Sequence, residues 1–304
     1  MLDFRVPGVY RHGDMSTAET LSLRACDGYE LAYRRYLPDQ GRTPRGLVVY
    51  LHGIQSHGGW YEASSRHLAE AGLAIYFADR RGSGMNAADR GHADSWEQLA
   101  RDVTDLEDRA LNDWLSMAGR LPLVLVAVSW GGKLAAALAA MHSSRYAGAA
   151  LLCPGICPKR DVSPAVKCAI AWSLARRAGR QQFPIPLSDP KLFTATPERL
   201  EFLRSDRLSL HEATARFLFE SRRLDNYLAA AAPWITTPLL VALAERDQII
   251  NNLATCRYMM ETSSADRTVK YYGRAHHTLE FEPDPSRVFA DVADWVLKRC
   301  EAKP

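Results

Sequence analysis

Ser129 stands in Ala127-Val-Ser-Trp-Gly131, between an unbroken aliphatic run from Leu121 to Val128 and an alanine-rich stretch from Lys133 to Ala140. The aliphatic run predicts a strand buried on both faces, and the alanine-rich stretch predicts a helix. Gly131 and Gly132 let the chain turn sharply between them. A serine held at such a turn projects its hydroxyl. Its neighbouring amides face a helix N-terminus, where developing negative charge is favoured. This is the geometry of a nucleophile elbow, G-x-S-x-G, with Ala127 in the first glycine position. An acyl-transfer serine also needs a base within reach, an acid that orients the base, and N–H donors for the oxyanion.

Those parts must come from loops at the carboxyl ends of strands, and three loops qualify. In His52-Gly53-Ile54, after the strand ending at Leu51, glycine lets backbone approach a reacting carbonyl. The amide of Ile54 can then donate beside that of Trp130. The loop Ala244-Glu-Arg-Asp-Gln-Ile-Ile250 offers Asp247 as the preferred acid and Glu245 as the alternative. The loop Gly273-Arg-Ala-His-His-Thr-Leu-Glu-Phe-Glu282 offers two adjacent histidines, His276 and His277, as the base. Taken singly, each carboxylate or histidine is an ordinary surface residue. The chain order serine, acid, histidine makes them a set.

The elements that must position this set alternate. Residues 20–38 read as a hairpin around Asp27-Gly28. Strands then follow at 46–51, 73–78, 121–128 and 147–153, with a helix over 61–71 and a long amphipathic one from its N-cap Ser95 to Met117. The rhythm stops after Pro154. Residues 155–235 hold no convincing buried strand and predict helices over 165–178, 197–204 and 209–231. The rhythm resumes with a strand at 238–244, a helix at 251–262, a strand at 268–272 and a final helix from Pro285 to about Cys300. The expectation is an α/β fold with a mostly parallel central sheet, helices on both faces and a helical cap insertion. Residues 1–154 and 236–304 would form the core, and 155–235 the cap.

Composition narrows the function. A net charge of +3 over 304 residues, without a long basic run, gives no support for nucleic-acid binding. No stretch approaches the ~20 apolar residues of a membrane span, and Met1 to Gly8 carry no apolar signal region. The six cysteines are scattered. Cys153 and Cys157 lack the second pair or nearby histidine of a zinc site, so free thiols in the cytoplasm are expected.

The chain resembles the α/β-hydrolase superfamily, in particular its monoacylglycerol lipase-like, serine aminopeptidase-like (lysophospholipase) group. The resemblance covers nearly the whole length. Its most specific stretch is Leu51-His-Gly-Ile-Gln-Ser-His-Gly-Gly-Trp-Tyr61, similar to H-G-x-x-x-H-x-x-R-Y with Trp60 where arginine is common. Asp79-Arg-Arg-Gly-Ser-Gly84 resembles D-x-R-G-x-G, and Arg90-Gly-His-Ala-Asp-Ser-Trp96 resembles R-G-H-x-x-S-[FW]. Asp206-Arg-Leu to Arg216 resembles a cap segment of the group. The resemblance implies Asp247 as the acid, in D-x-I-[IV], and His277 as the base, in H-x-L-x-x-E ending at Glu282.

The implied chemistry is a carboxylic ester hydrolase acting through an acyl-enzyme on Ser129, with oxyanion donors at Ile54 and Trp130. No metal or organic cofactor is required. The implied substrate is a small to medium lipophilic ester, like a monoacylglycerol or lysophospholipid. The cap, with Trp172, Leu174, Phe183, Phe193, Phe202, Phe217 and Phe219, would supply its own packing and part of an acyl pocket, and could touch a lipid surface transiently. A peptidase on the same triad would need a cap acid among Glu201, Glu212 and Glu220. C–C hydrolase or acyltransferase chemistry, or a binding protein without turnover, also fits the fold.

Overall fold

The computed structural model describes residues 18–39 and 42–301, so the reading of Met1 to Gly8 lies outside the described residues. The predicted hairpin is β1 (Glu19–Arg24) paired antiparallel with β2 (Glu30–Tyr36). Its sheet continues through β3 (Leu47–Leu51), β4 (Ala74–Ala78), β5 (Leu123–Val128), β6 (Gly148–Leu152), β9 (Leu239–Ala244) and β10 (Arg267–Tyr272). The order across the eight strands is β1-β2-β4-β3-β5-β6-β9-β10, and every pairing from β4 to β10 is parallel. The central strands β3 to β6 and β9 are buried at every residue, which is why they read as continuous apolar runs. The edge strand β10 alternates instead, leaving Val269 and Tyr271 exposed.

Helices cover both faces. Tyr50 of β3 shares a small cavity with Leu68 of α1 (Glu62–Glu70) and Val292 of α8 (Ser286–Glu301). The next residue, Leu51, shares another with Leu99 of α2 (Trp96–Ala118) and Leu134 of α3 (Trp130–Met141). Consecutive strand residues face opposite sides, so the two helix pairs lie on opposite layers. Ser95 caps α2 as expected, its hydroxyl accepting from the Gln98 amide at 3.1 Å.

Between β6 and β9 the chain leaves the sheet. It forms α4 (Pro164–Ala175), β7 (Gln182–Pro184), α5 (Pro197–Ser205), β8 (Glu212–Thr214) and α6 (Ala215–Ala231) before re-entering the sheet at β9, and α7 (Asn252–Glu261) then connects β9 to β10. The helix expected over 209–231 begins only at Ala215. Residues 212–214 are drawn into antiparallel pairing with 182–184, and Thr214 caps α6 by accepting from the Phe217 amide. A tertiary pairing thus overrides local helix-forming composition.

This excursion is tied by backbone to the loops at the strands' carboxyl ends. Leu210 N–H donates to Gln55 C=O at 2.8 Å, and Thr278 N–H donates to Phe193 C=O at 2.9 Å. At its root, Lys159 N–H donates to Ile249 C=O and Asn251 N–H donates to Cys157 C=O, at 2.7 and 2.8 Å. Among the described residues no helix is long and apolar enough to cross a membrane.

Candidate active site

Ser129 links β5 directly to α3 with φ 52° and ψ −121°, a left-handed conformation that costs a residue bearing Cβ. The turn is crowded enough to require its glycines. A Cβ on Gly131 would lie 2.6 Å from the His52 carbonyl oxygen, and one on Gly132 would lie 2.7 Å from Pro154. Ala127, where the elbow pattern has glycine, is fully buried and paired between Leu51 and Leu151, so its methyl group is accommodated.

The loops after β9 and β10 bring an acid and a base to this serine. His277 is 1% exposed, with Nε2 2.9 Å from Ser129 Oγ and Nδ1 2.7 Å from Asp247 Oδ2. The second Asp247 oxygen accepts from the amides of Ile249 and Ile250 at 2.7 and 2.9 Å. Burial pushes the Asp247 carboxyl up, but His277 and these amides outweigh it and hold it below the ordinary carboxylate range. An ionised Asp247 requires the ring proton on Nδ1, which leaves Nε2 free to accept from the serine hydroxyl.

The alternatives sit elsewhere. His276 is engaged with Glu282, whose Oε1 lies 3.1 Å from its Nδ1 and accepts from its amide at 2.7 Å. Glu245 is exposed and accepts from the Arg274 amide.

On the other side of Ser129, the loop after β3 approaches so closely that a Cβ on Gly53 would lie 3.2 Å from Ser129 Cβ. Ser56 Oγ anchors this loop by accepting from the Gly53 amide at 2.9 Å. Neither the Ile54 nor the Trp130 amide donates to another described residue. The Trp130 indole N–H is held by Ser221 of α6 at 2.8 Å, and its ring lies against Phe217. Phe193 meets the edge of His277. Of the apolar residues expected in the cap, Phe193 and Phe217 therefore reach the site. Phe183 packs with Ile170 and Ala215, Phe202 packs on Trp60 and Phe281, and Trp172 and Phe219 are exposed.

One ligand atom each from Cys153, Asp247 and His277 lie within 4.8 Å of one another, a grouping that can hold a divalent ion. Here the acid and imidazole already share a proton at 2.7 Å, and burial keeps the Cys153 thiol protonated by pushing it well above its ordinary value. The set as folded suits proton transfer better than coordination.

Sequence reasoning assigned no role to two features of the site. Asp206 accepts at Oδ2 from His57 Nε2 (3.0 Å), Trp60 Nε1 (2.8 Å) and Ser209 Oγ (2.6 Å), latching the excursion to the loop that carries Ile54. Trp60, standing where arginine is common, meets Asp206 by an indole N–H. The second feature is Glu280, buried beside Tyr50, Tyr61 and His277, where Oε1 accepts from the Ser64 amide in the first turn of α1.

Burial pushes the Glu280 carboxyl up to about 7, against the lowering contacts from Ser64. A raised folded-state value means the neutral form stabilises the fold. That contribution is full below the unfolded value near 4.5 and is lost as pH rises through about 7. Glu280→Gln keeps the acceptor without the charge, so at pH 8 it should unfold about 2–3 kcal/mol less readily than the parent. Urea unfolding at pH 5 and pH 8 reads the difference between the two proteins. A gap that does not widen with pH would contradict the assignment. Glu107, also pushed up to about 7 by burial, contributes a slope common to both proteins.

The family profile described as "Serine aminopeptidase, S33" matches residues 42–284. The monoacylglycerol lipase of Mycolicibacterium smegmatis is 28% identical over 286 residues, covering 93% of this chain and 98% of its own. The monoglyceride lipase of Homo sapiens is 26% identical over 90% of this chain and 88% of its own. A soluble variant of the Saccharomyces cerevisiae monoglyceride lipase, solved with a substrate analogue, superposes with a TM-score of 0.81 at 20% identity, covering 97% of this chain and 99% of that one.

Proposed function

The chain belongs to the serine aminopeptidase S33 family of α/β-hydrolases, and on that premise we propose that it is a serine hydrolase cleaving carboxylic esters of lipophilic acyl chains, monoacylglycerol-like or lysophospholipid-like. One observation carries the reading: a buried imidazole hydrogen-bonded to both a carboxylate and the oxygen of a serine at a strained strand-to-helix turn. Ser129 Oγ attacks the acyl carbon while its proton passes to His277 Nε2, and the negative oxygen that forms is met by the amides of Ile54 and Trp130. His277 gives the proton to the departing alkoxide, leaving an acyl-serine. Water repeats the sequence and frees the acid. Asp247 steadies the imidazolium in both halves.

The excursion over residues 155–235 acts as the cap of this site, and the S. cerevisiae protein's substrate analogue and the lipase names of the relatives support a lipid ester. Peptidase chemistry would need a free cap acid to bind a substrate amine. Glu220, the buried one of the cap's candidates, is already paired with Arg223 at 2.7 Å and lies near Arg216.

A fluorophosphonate probe, followed by a panel of monoacylglycerols and other esters of increasing acyl length, tests the reading. Labelling of the folded protein with turnover of medium or long esters is expected. A folded protein that does not label would overturn the reading, and labelling without turnover would favour a ligand-binding role.

The cap also offers a surface suited to substrates held in a lipid phase. Helix α4 exposes Trp172, Ala165, Ala169 and Cys168, with Lys167 and Arg176 alongside. Apolar side chains flanked by cations suit an interface of lipid and water. Trp172→Asp should lower hydrolysis of a vesicle-borne monoacylglycerol roughly tenfold, while leaving hydrolysis of a water-soluble short-chain ester unchanged. Equal losses on both would place the tryptophan's role inside the protein instead.

A further inference from the structure

Three consecutive charged residues follow β4, and two of them find opposite charges. Asp79 accepts from Arg34 at 2.9 Å, and Arg81 pairs with Asp102 at 2.6 Å and Asp27 at 2.9 Å. Arg80, 8% exposed, has no carboxylate within ion-pair distance among the described residues. Its guanidinium lies 4.9 Å from the Trp130 ring and 5.2 Å from that of Phe217. Nη1 donates to the Gly53 carbonyl at 3.1 Å and Nη2 to the Ile54 carbonyl at 2.9 Å. The Arg80 amide donates to His52 Nε2 at 2.8 Å, so that ring carries its proton on Nδ1 and donates it to the same Gly53 oxygen at 2.7 Å. Burial, with Arg80 nearby, pushes His52 down to about 3, which keeps the ring neutral.

One carbonyl therefore takes two donors, one of them charged. A peptide is a single conjugated unit, so donors at its oxygen draw electron density from its N–H and strengthen that group as a donor. The N–H of the Gly53–Ile54 peptide is the one assigned to the oxyanion. We propose that Arg80 is a positioning residue for catalysis, holding and polarising the Gly53–Ile54 peptide so that the Ile54 amide is a stronger donor to the oxyanion. The proposal rests on the hydrolase reading above. A buried guanidinium without a counter-charge is unfavourable in the resting protein. Its partner is the negative charge that develops on the far side of that peptide during reaction.

The test compares Arg80→Gln and Arg80→Lys with the parent. Arg80→Gln should lower kcat about 10- to 100-fold, less than the roughly 10²–10³-fold loss of a donor itself, with KM within about threefold. Affinity for a trifluoromethyl ketone, whose adduct places an alkoxide at the oxyanion position, should fall by the same factor as kcat. Arg80→Lys, which keeps the charge, should recover part of both. The thermal midpoint of Arg80→Gln should not drop. A purely structural arginine would give a lower midpoint, a raised KM, or a kcat loss without the matching loss of ketone affinity, and any of these overturns the proposal.

If the parent neither turns over esters nor binds the ketone, the hydrolase reading fails by itself. The Ile54 amide proton in ¹⁵N-labelled protein then decides polarisation separately. It should move upfield in Arg80→Gln, and an unmoved resonance overturns the proposal.

Discussion

Ser129→Ala should reduce ester turnover by roughly 10⁶-fold and abolish covalent labelling, because the bond to the acyl carbon has no oxygen to form from. The fold should survive, since the residue's backbone bonds, Ser129 N–H to Leu152 C=O and Gly155 N–H to Ser129 C=O, do not involve the hydroxyl. The stronger form of the experiment adds Ser129→Gly. At φ 52° any Cβ is held in an unfavourable region, and the alanine variant keeps that strain while the glycine variant releases it. Against Ser129→Ala, Ser129→Gly should gain about 1 kcal/mol in denaturant unfolding, after allowing for glycine's looser unfolded chain. Two inactive proteins of equal stability would show that the elbow is not strained. A Ser129→Ala variant that still turns over esters at the parental rate would remove Ser129 from the mechanism.

The second large effect separates two neighbouring histidines. His277→Ala should cost roughly 10⁶-fold in kcat, as much as losing the serine, because nucleophile and base act as one unit. It also leaves Asp247 buried without its imidazole partner, so the variant should be less stable. His276→Ala should retain turnover within about threefold of the parent, since its ring faces Glu282 and not Ser129. Steady-state kinetics on one soluble ester decides between them. Loss of activity in His276→Ala with retention in His277→Ala would reverse the assignment.

These expectations show which parts of the site can be read along a chain. The elbow was legible because its constraints are local: a buried strand, a turn, glycines and a helix occupy adjacent positions. The acid and base were legible through order, each following a strand. Two histidines in succession are equivalent by order alone, and it was the resemblance to H-x-L-x-x-E that pointed to His277. Arg80 was not legible, since its targets are the carbonyls of residues 53 and 54, and in sequence it is one more charge in a charged turn. The Asp206 latch joins residues 149 positions apart. Glu280 lies three residues past the base but serves helix α1, 216 residues back in the chain. The late start of α6 has the same origin, because pairing with residues 182–184 decides the conformation of 212–214.

The root of the excursion bears on how such proteins can be recombined. Residues 157–159 are paired with 249–251 on either side of the bridge between Pro158 and Ile250, and Lys159 Nζ donates to the backbone carbonyl of Asp247 itself at 2.7 Å. A chimaera that takes its proposed cap from one parent and the loop after β9 from another would break this contact at the residue proposed to orient the base. Crossover points placed beyond residue 160 keep the stem and the acid loop from a single parent. Exchanges made there can vary the proposed cap while leaving the stem and the loop after β9 in register.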